Sequence, residues 1–149
     1  MSATNKSRQF STFYVADRLY GIDVMQVQEV TKTLPLTCIR LAPDYVKGLI
    51  NLRGQIATAV GLRELFQINS ETSTEKMTVV CRHEDVLLSL LVDRIGDVIE
   101  VSDESFERSL DTIDESISKF MQGVYKVPGA VLSVIEVEKI FKTLNKKGE

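Results

Sequence analysis

The chain is poor in the residues that most often carry chemistry, with one histidine and two cysteines in 149 residues. From a lone His83 no Ser-His-Asp arrangement can be argued, and its acidic neighbours Glu84 and Asp85 favour a solvated turn over a general base. Cys38 and Cys81 form no CxxC pair, and with only His83 nearby they do not complete a zinc set. Both are expected as buried free thiols. GxSxG, Walker and GxGxxG loops are absent, which removes the nucleophile elbow and the phosphate cradle. No cofactor and no metal are expected. A basic excess is missing too: 18 Lys and Arg against 21 Asp and Glu leave −3, a poor match to nucleic acid. No apolar run approaches the ~20 residues of a membrane span. The opening MSATNKSRQF lacks the apolar stretch of a signal peptide, so a cytosolic protein without disulfides or membrane insertion is expected.

What is present is ordinary soluble composition, 44% apolar and 26% charged, in a length that suits one domain or two small lobes with a shared core. Residues Met1 to Arg8 read as a disordered tail. Aromatic and β-branched residues from Gln9 to Ala16 predict a strand, turning at Asp17-Arg18 into a hairpin through Ile22. Asp23 is a plausible N-cap for a short helix to about Val27 or Gln28. A strand at Val30–Leu34 follows, and Pro43-Asp44 is expected to open a one- or two-turn helix ending near Gly48.

Further strands are expected at Ile56–Val60, Met77–Arg82, Val86–Val92, Val98–Val101 and Ala130–Ile135. Leu62–Phe66 reads as a helical turn, Gln67–Lys76 as an exposed loop and His83-Glu84-Asp85 as a hairpin turn. A last helix runs from Glu136 to about Leu144, with Val137, Ile140, Phe141 and Leu144 on one face. Phe106, Leu110, Ile113, Ile117, Phe120 and Met121 step at helical spacing, so some helix is expected within Asp111–Met121. Many short strands and frequent turns argue for barrels rather than a parallel sheet.

Two constellations invite a functional reading. Asp93 and Asp97 flank Arg94 in VDRIGD; the expected structure is a turn satisfied by its own ion pairs rather than an acid/base pair. Val24, Met25 and Val27 alternate with Gln26, Gln28 and Glu29 so that they cannot all face one core. They either straddle two lobes or remain free for a partner.

The segment Gly48–Arg63, GLINLRGQIATAVGLR, interrupts an apolar run with Arg53-Gly54, which suggests a tight turn where Gly54 takes positive φ. Arg53 is expected either beside the core, where it would need a carboxylate partner, or as a solvated residue of the turn. GLINLRGQI closely resembles the signature of the CheW family of chemotaxis coupling proteins. LLVDRIGDVIEV (Leu90–Val101), YGIDVMQVQEV (Tyr20–Val30) and FMQGVYKV (Phe120–Val127) resemble that family's other blocks, in order and at matching spacing.

The resemblance implies a mainly β fold of two intertwined, five-stranded, SH3-like β-barrels with short helices and a C-terminal helix, over residues 9–145. It implies no catalysis. It implies two partners: the regulatory domain of the histidine kinase CheA, and the cytoplasmic tip of chemoreceptors, which would recruit the protein to membrane-associated receptor arrays. Carried over by residue, Glu29 and Arg53 match an interacting pair, expected as a partly buried ion pair beside a receptor groove. Val27, Gly48, Asn51, Leu52 and Gly54 match positions that line or shape it. A looser carry-over puts kinase contacts at Ser89, Asp93, Ile95, Val98 and Phe106.

The chain departs from the family where PVIDLR is common: Thr58 replaces a Pro and Gly61 an Asp, while Ser89 stands at a usual Gly. A CheW-like adaptor of another pathway, such as pilus motility or development, and a small β-barrel enzyme are the alternative readings. An enzyme should show a deep pocket with convergent polar groups. A coupling protein should show shallow grooves with exposed apolar side chains.

Overall fold

Four antiparallel hairpins, each closed by a two-residue turn, generate most of the architecture. In the computed structural model, which describes residues 7–68, 76–108 and 113–145, β1 (Ser7–Val15) turns into β2 (Arg18–Asp23) through Ala16-Asp17. β4 (Val46–Leu52) turns into β5 (Gln55–Gly61) through Arg53-Gly54, and β6 (Met77–His83) into β7 (Val86–Val92) through Glu84-Asp85. In these three turns both central residues have positive φ, the geometry whose twist suits paired strands. The fourth, Pro128-Gly129, joins β10 (Met121–Val127) to β11 (Ala130–Ile135).

β3 (Val27–Lys32) follows a single 3-10 turn over Val24–Gln26, where Asp23 Oδ1 accepts from the Met25 amide at 2.9 Å. The remaining elements are α1 (Leu62–Leu65), β8 (Arg94–Ser102), a second 3-10 turn over Asp103–Ser105, β9 (Phe106–Glu107), α2 (Glu115–Ser118) and α3 (Val137–Asn145). Two sheets result, ordered β8-β1-β2-β11-β10-β9 and β3-β6-β7-β5-β4. The first lobe is therefore built from both ends of the chain, and the second from its continuous middle. Five strands per lobe were expected; the two-residue β9 makes the first sheet six.

Four apolar clusters follow from this arrangement, the smallest being Ile50, Ala59 and Leu91 in the second lobe. The largest lies between the lobes: Phe13, Tyr20 and Ile22 from the first meet Val60, Val79, Cys81, Leu88 and Leu90 from the second. Val137 and Ile140 of α3 close it. Ring contacts Phe13–Tyr20, Tyr20–Phe66 and Phe66–Phe120, with centroids 6.2, 5.3 and 5.9 Å apart, run through this interface. Inside the first lobe pack Phe10, Val101, Tyr125, Leu132 and Val134, and inside the second Leu52, Ala57, Val80 and Leu87. Among the described residues no helix is long and apolar enough to cross a membrane.

A single carboxylate ties the lobes together. Asp93 is the one residue between β7 and β8, where the chain crosses from the second lobe back to the first. Its Oδ2 lies 2.6 Å from Arg63 of α1 and 2.8 Å from the Ala16 amide in the β1–β2 turn, while Oδ1 accepts from Arg63 Nε at 3.1 Å. The side chains are only 11% and 13% exposed, so the charges are held away from water and must answer each other.

Several sequence expectations change here. VDRIGD is no self-satisfied turn: Asp93 reaches Arg63, and Arg94 stacks 3.7 Å from the Tyr14 ring centroid. Ser7 and Arg8 belong to β1 rather than to a tail, because Arg8 pairs with Asp23 at 3.0 Å across the strands. Pro43-Asp44 opens a turn closed by Val46 N–H to Pro43 O, and β4 begins at once, so no helix forms. Cys38 is exposed and only Cys81 is buried. His83 is half-buried, its ring 5.0 Å from that of Phe141 on α3. Residues 69–75 of the expected loop and Leu110 to Thr112 of the ambiguous segment lie outside the described residues; the helix there is the single turn α2.

Arg63→Ala should strand the Asp93 charge in the interior. A loss of about 3–5 kcal/mol in urea unfolding is expected, and a loss below ~1 kcal/mol would show that the pair holds nothing. Burial pushes the Cys81 thiol from 9.0 up to about 12. Its contribution is complete below pH 9 and declines as pH rises from there towards 12, because only the unfolded thiol then ionises. A thiol reagent at pH 8 should accordingly label Cys38 rapidly, and Cys81 only on unfolding; rapid labelling of both would contradict this packing.

Candidate functional site: the mouth of the second barrel

The second lobe closes into a barrel because the segment after β3 reaches across to β4. Thr37 and Leu49 exchange backbone hydrogen bonds of 2.9 and 2.8 Å, which brings the two outer strands of the sheet together. Gly48 makes that closure possible. Its φ is +146°, and a Cβ there would stand 2.5 Å from the Thr37 carbonyl oxygen. Gly48 thus shapes the barrel wall and does not line a groove, being itself buried.

At one end of this barrel the β4–β5 turn faces the start of β3. Asn51 Oδ1 accepts from the Gly54 amide at 2.9 Å, fixing the turn that carries Arg53. Arg53 then reaches Glu29 at 2.7 Å. The expected ion pair is present, but its burial is one-sided: Arg53 is 70% exposed and Glu29 24%. The reason is the turn itself, which projects residue 53 beyond the barrel wall. Glu29 Oε2 is buried with no hydrogen-bond partner among the described residues, so Arg53 satisfies only half of the carboxylate.

A second arginine, missed in the sequence, sits alongside. Arg82 donates to Gln28 Oε1 at 2.9 and 2.6 Å and to Gln55 Oε1 at 3.4 Å, bridging β3 to the residue after the turn. The pairing of β3 with β6 shifts between Val27 and Glu29, so Gln28 is the extra residue of a bulge. That bulge lets the consecutive residues Gln28 and Glu29 each meet an arginine at the mouth. The signal for Arg82 was strand alternation: two residues beyond buried Val80, it lies on the barrel-interior face at its open end.

The other receptor-side positions divide plainly. Leu52 is buried in the barrel, and Val27 is half-buried against the inter-lobe core. Gly54 and Asn51 are exposed at the turn. Met25, on the 3-10 turn just before β3, is 88% exposed, and Val30 on β3 is 38% exposed.

The kinase-side set is not one surface. Ser89 is wholly buried mid-strand in β7, and Asp93 is committed to Arg63 and Ala16. Ile95 packs on the inter-lobe core and Phe106 on Tyr125, rings 5.0 Å apart. Of the five, only Val98, 59% exposed, presents an open apolar side chain. At Gly61 the Lys47–Glu64 pair occupies the space that a side chain would fill.

A cavity of about 670 Å³ is lined by Arg8, Phe106, Arg108, Tyr125, Glu136 and Lys139, among others. Arg8 is answered by Asp23, and Lys139 by the Met121 carbonyl at 3.0 Å. Asp97 is exposed on β8 and does not converge with Asp93.

Comparison with known proteins bears on this geometry. Residues 9–145 match the CheW-like domain. The chain belongs to the CheW-like family. It is 31% identical over 148 residues to the chemotaxis protein CheW of Treponema pallidum, covering 96% of this chain and 87% of that one. It is 28% identical over 139 residues to CheW of Rhizobium meliloti, covering 93% and 90%. Its fold is similar to the crystal structure of scaffolding protein TtCheW from Thermoanaerobacter tengcongensis, with a TM-score of 0.80 and 26% identity over 88% of this chain and 90% of that one. The two-lobed, mainly β architecture is the CheW fold.

Two substitutions separate scaffold from surface at this mouth. Gly48→Ala should lower the melting temperature by several degrees, because the new Cβ meets backbone that closes the barrel. Arg53→Ala should cost somewhat more than the ~0.2–1 kcal/mol of an exposed pair, about 1–2 kcal/mol in denaturant unfolding, because the arginine is largely solvated but Glu29 loses its partner. Equal and large losses in both would place Arg53 in the structural wall.

Proposed function

We propose that this chain is a non-enzymatic coupling scaffold of a chemotaxis array, joining chemoreceptors to the histidine kinase CheA. The observation that carries the reading is the barrel mouth of a CheW-like fold. There Arg53 is projected on a rigid two-residue turn and tethered to Glu29, with exposed Met25 on the adjoining segment. A receptor tip is a helical hairpin, and a helix laid against such a mouth is held by apolar anchors and oriented by charges. The pre-formed ion pair fixes the arginine before the partner arrives, which lowers the entropy lost on binding. Glu29, Arg53, Asn51 and Gly54 form or frame this surface. Val27, Gly48 and Leu52 support it from behind.

The kinase docks elsewhere, through its own CheW-like regulatory domain. Val98 on β8 is the exposed apolar position of the candidate set for that contact. The protein reaches the membrane-associated array through these partners and needs no lipid contact of its own.

Calorimetric titration against the regulatory domain of a CheA kinase from the same genome tests the coupling role. Micromolar or tighter binding is expected, with Arg53→Ala leaving it within about twofold and weakening capture of a receptor cytoplasmic fragment. A folded protein that binds neither partner would end this reading. Loss of kinase binding in Arg53→Ala would reassign the barrel mouth to the kinase.

A further inference from the structure

The two arginines at the barrel mouth differ in what neutralises them. Arg53 faces the carboxylate of Glu29 at 2.7 Å, so its charge is answered within the chain. Arg82 is held by three hydrogen bonds, every one to a carboxamide oxygen, from Gln28 and Gln55. Among the described residues it forms no ion pair, and it is exposed. Carboxamides satisfy the directional donors of a guanidinium but leave its full positive charge. The result is a cation immobilised yet not neutralised, in a chain whose net charge is −3.

Position strengthens the point. Gln28 adjoins Glu29 in the β3 bulge, and Gln55 follows Gly54 in the turn, so each of the Arg82 tethers neighbours a part of the Arg53 site. Both arginines therefore brace the same gap between β3 and the β4–β5 hairpin. A side chain serving only to brace that gap would need no charge, because a neutral amide could bridge two glutamines. An arginine here adds an electrostatic demand on whatever covers the mouth.

We infer that Arg82 is a specificity-determining residue of this surface, taking a carboxylate side chain of the receptor's helical tip. The inference rests on the receptor-binding reading of the mouth and deepens it. The pre-set guanidinium offers a charge-assisted hydrogen bond whose ordering cost is already met. It selects receptors bearing an acidic residue within reach of the mouth, and its attraction weakens with salt.

The test uses the full-length protein, the purified cytoplasmic hairpin fragment of a chemoreceptor from the same organism, and the CheA regulatory domain as control. Affinities are measured at low and high salt for wild type, Arg82→Gln and Arg82→Lys. Arg82→Gln should bind the receptor fragment about tenfold more weakly at low salt, with a shallower salt dependence. Its kinase affinity and melting temperature should stay close to wild type. Arg82→Lys should recover part of the affinity and most of the salt slope. Unchanged receptor affinity and salt slope in Arg82→Gln, with wild type binding normally, would overturn the inference alone. Equal weakening towards receptor and kinase, with a lowered melting temperature, would make Arg82 a brace and also overturn it. Failure of wild type to bind the receptor fragment would remove the receptor reading itself.

Discussion

The Arg63–Asp93 pair is the contact on which the rest of the molecule depends. One carboxylate receives a guanidinium from the second lobe and an amide from the first lobe's opening turn, at the point where the chain crosses between them. A buried ion pair is a poor source of net stability compared with well-packed apolar groups, because desolvation offsets most of the Coulombic gain. Its value lies in geometry. Apolar packing alone would let two small barrels slide over Phe13, Tyr20, Phe66 and Phe120, whereas three directional bonds to one carboxylate admit one arrangement.

With the lobes fixed, the second barrel can hold an open mouth whose polar rim is ordered by its own hydrogen bonds. Closure at Gly48 and Thr37 sets the spacing between β3 and the β4–β5 hairpin. That spacing places Glu29 within reach of Arg53, and Gln28 and Gln55 within reach of Arg82. The rim is thus a product of barrel geometry and of one bulge, rather than of any local motif. Its charges are held still by bonds within the chain, Arg53 by Glu29 and Arg82 by the two glutamines.

Elements dictated by local patterning were legible in the sequence. Ala130–Ile135 is an apolar run broken only by Ser133, and Val137 to Leu144 is an amphipathic stripe; both form the elements expected of them. Turn positions slipped by one residue at Asp17 because Ala16 takes positive φ, which an alanine does not advertise. The helix expected after Pro43 failed because the demand of β4 for a pairing partner begins at Val46 and overrides local preference. Of the site, the Glu29–Arg53 pair was legible only through family resemblance, since nothing in either segment points to the other. Arg63–Asp93 was hidden for the same reason, thirty residues apart, while adjacent Arg94 offered a misleading local partner. Ser89 illustrates the reverse error, a surface role assigned to a position that strand pairing on both sides buries completely.

The division of the first lobe between the two ends of the chain has a consequence for how the protein is made. β2 pairs in parallel with β11, with Tyr20 opposite Ser133, so the first sheet lacks its central seam until residues more than a hundred positions further along have been made. The middle lobe has no such dependence, because all five of its strands are complete by Val92. Closing so long a loop early is entropically unfavourable, and sheets with such distant partners assemble slowly. Asp93, the first residue beyond that lobe, is thus also the first point at which the chain can bond Arg63 of the middle barrel to the Ala16 amide of the N-terminal hairpin.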